Sequence, residues 1–497
     1  MKHYLQLKKL FERISHLHYI ERILMWDEAV MMPEGAEQSR ANAIATLNRS
    51  TQAILTSKKV KTLLEGAKQE EGLSAWDSMN LQKIEKIYRR ATCIPLALTE
   101  KSTKSALTCE QAWRKLRPTN NWKKFLPYLE ETFQCAKEKA ERQADVFQLN
   151  PYDVLLDIYV PGFNQANIGP IFTQLKNALP ALIQHITHKQ MHEPIQIPQG
   201  PFAISQQKAL GIAVMSALQF DFQRGRLDVS HHPFCSGSPM DVRITTRYRE
   251  DEFITSLCGI CHETGHALYE QGLPSQWIDQ PVGQIDSMAM HESQSLLLEM
   301  QVCRSHAFIA FLVPLLEKEF GKQPAFTQEN VFSLVTRVKP SFIRVDADEV
   351  TYPLHIILRY EIEKGLFSGD FKLIDLPTIW DEFMTKYLGL STKNNDKDGV
   401  MQDVHWPSGA FGYFPAYTLG RLISAQLFAT LNKANPMLDK NIKEGDFQPL
   451  IRWLKENVYC YAASLSTHDF LQKVTGHSLD TTYFINHVKQ RYGIGNS

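Results

Sequence analysis

The chain has 497 residues, 43% hydrophobic and 22% charged, enough to bury a large core and within the range of ordinary globular proteins. Its 54 basic residues balance 54 acidic ones, so no net field points to a nucleic-acid or anionic-membrane partner. No run of about eighteen apolar residues offers a membrane span, the first residues lack a signal-peptide core, and the eight cysteines are scattered rather than framed for disulfides, so the expected address is the cytoplasm.

In chain order the pattern is almost wholly helical. From Leu5 to about Trp26 the residues Leu7, Leu10, Phe11, Ile14, Leu17, Ile20 and Leu24 recur with a period near 3.6, and the Asp27 to Gly35 stretch, with Met31-Met32-Pro33-Glu34-Gly35, breaks the helix. Ala36 to about Glu65, Ala75 to about Cys93, Glu100 to Leu116 and Trp122 to Gln148 read as further helices, the last pairing Glu138 with Arg142 at i, i+4. Asn150-Pro151 and Pro161-Gly162 punctuate the chain. A helix is predicted from Gln165 to about Lys189, and the proline-rich Glu193 to Phe202 segment looks like a linker before another helix over Ser205 to Phe220. Only Asp241 to Tyr248 alternates like a strand. As an edge strand it could pair with an extended peptide; as part of a plain ribbon it would only expose its arginines.

The stretch from Asp251 to Gly272 carries the chemistry. Asp251 is the expected N-cap, Gly272 followed by Pro274 the expected stop, and the residues between suit about five helical turns. Phe253, Leu257, Ile260, Thr264, Ala267 and Leu268 form one mainly apolar stripe, while His262 and His266 project from the opposite side. This H-E-x-x-H pattern lets two neutral imidazoles reach one Zn²⁺, with the Glu263 carboxylate lying over a water beside it, which is the makings of a hydrolase. Cys258-Gly259-Ile260-Cys261-His262 also spells a haem-attachment motif, and Cys258 could close a zinc site as a fourth ligand. The missing export signal and the usual packing role of small buried thiols weigh against both.

A catalytic zinc needs a third protein ligand and an open position. A second helix, predicted from Asp286-Ser287 to about Leu312 and antiparallel to the first, offers Glu292 ahead of His291, Glu299 and His306. Further on, His355, Arg359 and Glu363 share one face at i, i+4, i+8, either as a solvated ladder or as a cleft wall for an anion such as a terminal carboxylate. The aromatic stretch Gly399 to Tyr417 supplies His405, Tyr413 and Tyr417, donors suited to an oxyanion or else an aromatic cap on the core.

Together these residues resemble the carboxypeptidase Taq family of zinc metallocarboxypeptidases over nearly the whole chain. The shared motifs are Trp26-Asp27, Met32-Pro33, Arg40-Ala41, His232-Pro233-Phe234, Asp241-x-Arg243-x-Thr245, His262-Glu263-x-x-His266, His291-Glu292-Ser293-Gln294, Ile343-Arg344-x-x-Ala347-Asp348-Glu349 and Gly399-x-x-Gln402-Asp403-x-His405-Trp406. The resemblance implies a mostly helical zincin with a deep substrate groove and a small β-ribbon beside the zinc helix, similar to neurolysin and angiotensin-converting enzyme. It implies a single peptidase domain over residues 1–497, with a helical scaffold or lid in 1–200 and the zinc-site half in 201–497, a homodimer, and Zn²⁺ as the cofactor with Co²⁺ accepted. It makes His262, His266 and Glu292 the metal ligands and Glu263 the general base, releasing single residues with broad specificity from peptides with a free C-terminus. It places His405 with Tyr413 or Tyr417 at the oxyanion and Arg344 or Arg359 on the substrate carboxylate, and it sets Asp241 and Arg243 around the site as orienting groups. Met300 and Cys303 stand where Asn and Gly would be expected. A zinc endo-oligopeptidase is one alternative. A catalytically silent peptide-binding relative is another, and the intact Glu263 and ligand set argue against it.

Overall fold

The computed structural model of the protein describes residues 1–494. The periodic segments become helices, among them Lys2–Val30, Ala75–Thr92, Leu96–Leu116, Trp122–Phe147, Gln165–Gln190 and Ile204–Ala217. Two departures have local causes. The stretch expected as one helix from Ala36 to Glu65 splits, because the Ser57 hydroxyl accepts from the Val60 amide and starts a new helix at Lys58. Asn150 does more than punctuate: its side chain caps the helix Pro151–Tyr159, with proline at the first turn.

The alternating segment forms a strand over Asp241–Thr246 (β3), but it is the centre of a sheet rather than an edge. Gly225–Val229 (β1) pairs with it in parallel and Phe234–Ser238 (β2) pairs antiparallel, so the backbone of β3 has partners on both sides. The proposed peptide-pairing edge is therefore corrected: two short strands too brief and too polar to read from sequence occupy it.

Two hydrophobic cores organise the chain. The smaller joins residues between Tyr4 and Ile84, and the larger runs from Cys109 to Tyr492 through the sheet and most later helices. Polar contacts tie one to the other: Tyr19 donates to Asp241 at 2.7 Å, Arg22 to the Gly237 carbonyl at 2.9 Å, and Asn80 to Gln280 at 3.0 Å. Among the described residues no single helix is long and apolar enough to cross a membrane.

The C-terminal helix Thr481–Arg491 closes the larger core through one buried acid. Glu349 is 1% exposed and accepts two bonds from Arg491 at 2.9 Å and one from the Tyr492 hydroxyl at 2.9 Å, with His487 Nε2 at 3.1 Å. Burial opposes its charge, but Arg491 and His487 overcome that and hold the carboxyl well below the usual carboxylate range. Its contribution to stability is complete above the unfolded value of about 4.3 and is lost as the pH falls below that toward the lower folded value. Glu349→Gln, which leaves Arg491 buried without its counter-charge, is expected to cost about 3–5 kcal/mol in denaturant unfolding at pH 7. The gap to the wild type should narrow at pH 3–4, where the native carboxylate loses its advantage.

Candidate active site

The H-E-x-x-H segment lies in the helix Ile254–Gly272, one residue range shorter at its start than the capping pattern suggests. Asp251 is occupied by Arg249, at 3.0 Å, and the cap comes instead from Glu252, whose carboxylate accepts from the Thr255 amide at 3.0 Å. The apolar stripe is buried as expected, with Phe253, Leu257, Ile260, Ala267 and Leu268 all in the larger core. Cys261 also joins that core, and together with Cys258 and Cys303 it lines a small apolar cavity behind the helix, so the C-x-x-C-H reading has no place here.

Glu292 sits on the helix Met288–Leu296, started by the Ser287 hydroxyl. Glycine lets this helix lie against the histidine helix: a Cβ on Gly265 would stand 2.6 Å from Ser295 Cα. On its other side the helix meets Pro415–Ala434, where a Cβ on Gly420 would stand 2.9 Å from Glu292 Cβ. Squeezed between two glycines, the Glu292 helix brings its carboxylate to 3.5 Å from His266 Nε2 and 3.7 Å from His262 Nε2.

The second helix is not continuous to Leu312. After Leu296 it widens into a π-helical stretch, Leu297–Val302, turns, and restarts at His306 under a Ser305 cap. The widened turn places Glu299 beside the first histidine, with Glu299 Oε2 3.0 Å from His262 Nδ1 and Arg304 donating to Glu299 Oε1 at 2.6 Å. Glu299, weighed above only as a rival ligand, thus orients a ligand instead. His291 stacks on the His266 ring at 4.0 Å and lies 3.6 Å from Glu270. His306 stacks on Phe332.

The donor set fits a divalent cation. Donors 2.0–2.1 Å from a tetrahedral ion stand roughly 3.3 Å apart, close to the separations here, and one donor from each of His262, His266 and Glu292 lies within 4.8 Å of the others. The charges agree. Burial disfavours a charged His262, yet Glu292, Glu299 and Glu263 hold its pKa up to about 10, so the cluster is short of positive charge. Burial alone pushes Glu263, 7% exposed, up to about 7.

The opposite wall is built on Asp403. Arg344 donates to its Oδ1 from Nε at 3.0 Å and Nη2 at 2.8 Å, and Arg359 donates to Oδ2 from Nε at 2.7 Å. Both guanidiniums are buried, and Arg344 also reaches the Tyr352 hydroxyl at 2.6 Å. His355, Arg359 and Glu363 are all wholly buried, which corrects the solvated-ladder alternative: each finds its partners in the core rather than along the helix. His405 Nε2 lies 3.2 Å from the Tyr417 hydroxyl, and its ring packs on Tyr413 at 5.3 Å. After burial, the Glu292 carboxylate is among the charges that raise the Tyr413 and Tyr417 phenols, which places both near the metal-ligand cluster. Asp241 and Arg243 lie elsewhere. They pair with each other at 2.9–3.0 Å, and Arg243 covers Trp26 of the first helix at 4.2 Å, so they join that helix to the sheet.

A profile of the family described as carboxypeptidase Taq (M32) metallopeptidase matches residues 6–492. The chain belongs to this family. It is 35% identical to thermostable carboxypeptidase 1 of Thermus thermophilus over 98% of each chain, and 33% identical to carboxypeptidase 1 of Bacillus subtilis over 97% of this chain and 96% of that one. Among solved structures, Trypanosoma cruzi metallocarboxypeptidase 1 superposes with a TM-score of 0.97 at 39% identity, covering 99% of both chains. An M32 carboxypeptidase from Deinococcus radiodurans superposes with a TM-score of 0.93 at 32% identity, again over 99% of both. The expected mostly helical fold and the peptidase class of enzyme are both supported, and family membership implies a divalent metal.

For this M32 chain, the tight helix contact makes Gly265→Ala informative. The added methyl meets backbone rather than a flexible side chain, so the Glu292 helix must retreat. The variant should bind metal at least about tenfold more weakly than wild type in chelator competition.

Proposed function

We propose that the protein releases single amino acids from the C-termini of peptides, with broad specificity, through a zinc site formed by His262, His266 and Glu292. The observation that carries this reading is the convergence of those three side chains beside a buried Glu263. Two imidazoles and one carboxylate are the donor set of a catalytic zinc with an open position; cobalt shares these preferences closely enough to substitute. A bound divalent cation would polarise the scissile carbonyl and bring the pKa of a nearby water toward about 7.

Glu263 takes the proton from the attacking water and hands it to the leaving amine. A carboxyl raised to about 7 is matched to both tasks near neutral pH. Glu299 holds His262 by its far nitrogen, leaving Nε2 turned toward Glu292. His405, with Tyr413 or Tyr417, supplies donors to the carbonyl oxygen as negative charge gathers there.

Arg344 and Arg359 are proposed to select the free carboxylate as a unit. Two guanidiniums share the single carboxylate of Asp403, so the trio keeps one net positive charge behind Tyr352 and Tyr417. Neither arginine offers an empty fork, and the attraction is that of a buried surplus charge. Asp241 and Arg243 act from farther out, setting the first helix beside the sheet. The proposed assembly is a homodimer, to be read as twice the chain mass by light scattering. The proposed compartment is the cytoplasm, where eight free thiols would stay reduced.

Mass spectrometry of a peptide and its C-terminally amidated twin tests the reading. Stepwise shortening of the free acid alone is expected, abolished by chelation and restored by zinc; equal cleavage of the amidated twin would indicate an endopeptidase instead. Glu263→Gln should retain metal and lose about three or more orders of magnitude in kcat, and near-normal turnover would remove Glu263 from its role.

A further inference from the structure

We propose that Glu363 is a positioning residue for the reaction, acting through the backbone that carries His405 and Tyr413. The inference rests on the role given to His405 above. Glu363 is wholly buried, 0% exposed, on the helix Tyr352–Ser368. Its Oε1 accepts from Trp406 Nε1 at 2.7 Å; its Oε2 accepts from the Gly412 amide at 2.9 Å and from the Tyr152 hydroxyl at 2.8 Å. Trp406 directly follows His405, and Gly412 directly precedes Tyr413. One carboxylate therefore grips the loop next to each of the two groups aimed at the developing oxyanion.

The rest of the loop shows why such a grip is needed. His405 Nδ1 is buried without a hydrogen-bond partner among the described residues, so the ring is not aimed by its own second nitrogen, as histidines of this kind usually are. Its direction must come from the backbone and from the rings of Tyr413, Phe414 and Tyr417 around it. Gly412 has φ of 87°, and a Cβ there would stand 2.8 Å from the backbone of Leu155, so the loop is pressed onto the helix that presents Tyr152. A carboxylate buried this deeply is costly, and burial raises its pKa to about 7 against the pull of its three donors. An apolar side chain would fill the space at less expense, but it could not bind Trp406, Gly412 and Tyr152 at once.

The test is a double-mutant cycle on metal-loaded full-length enzyme, using a free-acid peptide. Glu363→Gln keeps the shape but puts an NH₂ against a donor; it should lower kcat by about 10–100-fold, with KM within about threefold and metal content as in the wild type. In a His405→Ala background the same change should cost less than about threefold, because the group it positions is already gone. If the two losses multiply, or if kcat per folded, metal-loaded molecule is unchanged in Glu363→Gln, the inference is wrong. If His405→Ala alone keeps wild-type turnover, the reading of His405 fails and takes this inference with it. Should Glu363→Gln not fold, Trp406→Phe removes a single donor from the same grip and enters the same cycle, with an expected loss of about 3–10-fold and the same non-additivity.

Discussion

Everything at the centre of this molecule depends on how closely three helices can lie. Gly265 on the histidine helix and Gly420 on the helix Pro415–Ala434 face the Glu292 helix from either side, and at both places a side chain would collide with its backbone or with Glu292 itself. Three donors from two helices meet because side chains were left out of those contacts. The ligands supply the chemistry, and the glycines supply the distance at which they can cooperate.

Close packing of so many acids raises an electrostatic problem, which the protein answers in separate compartments. Glu299 is neutralised by Arg304 and shared with His262; Asp403 takes two arginines; Glu349 takes Arg491, His487 and Tyr492. Each buried carboxylate thus has its own donors, as the cost of an unpaired charge in a low-dielectric interior demands. Glu363 is the exception in kind, bonded to an indole, an amide and a phenol with no formal positive charge in contact.

Much of this was legible beforehand, and what escaped did so for definable reasons. Helical periodicity found most helices because their apolar residues must repeat to reach a core; the i, i+4 histidines were plain because one turn of helix sets their spacing. The strands Gly225–Val229 and Phe234–Ser238 stayed hidden because five residues with glycine, serine and charge carry no period. Glu299 was seen as a possible ligand rather than a ligand's support, since a regular helix continued from Glu292 would have aimed it differently. The paired arginines could be named, but Asp403 lies 44 residues beyond Arg359, and only the folded chain shows that both spend their hydrogen bonds on it. Asp241 and Arg243 illustrate the converse: a motif can mark a joint between segments as readily as a place where substrate sits.

The π-helical stretch Leu297–Val302 bears on how such a chain can change over time. A widened turn holds one residue more than the regular spiral would. Loss of a single codon there would restore ordinary helical winding locally while rotating whatever follows by about 100° relative to what precedes. Glu299 and Arg304 would then swing away from His262 even though no functional residue had been replaced. Surface loops of this protein can lengthen or shorten at little expense, but in this segment the count of residues is itself a functional property.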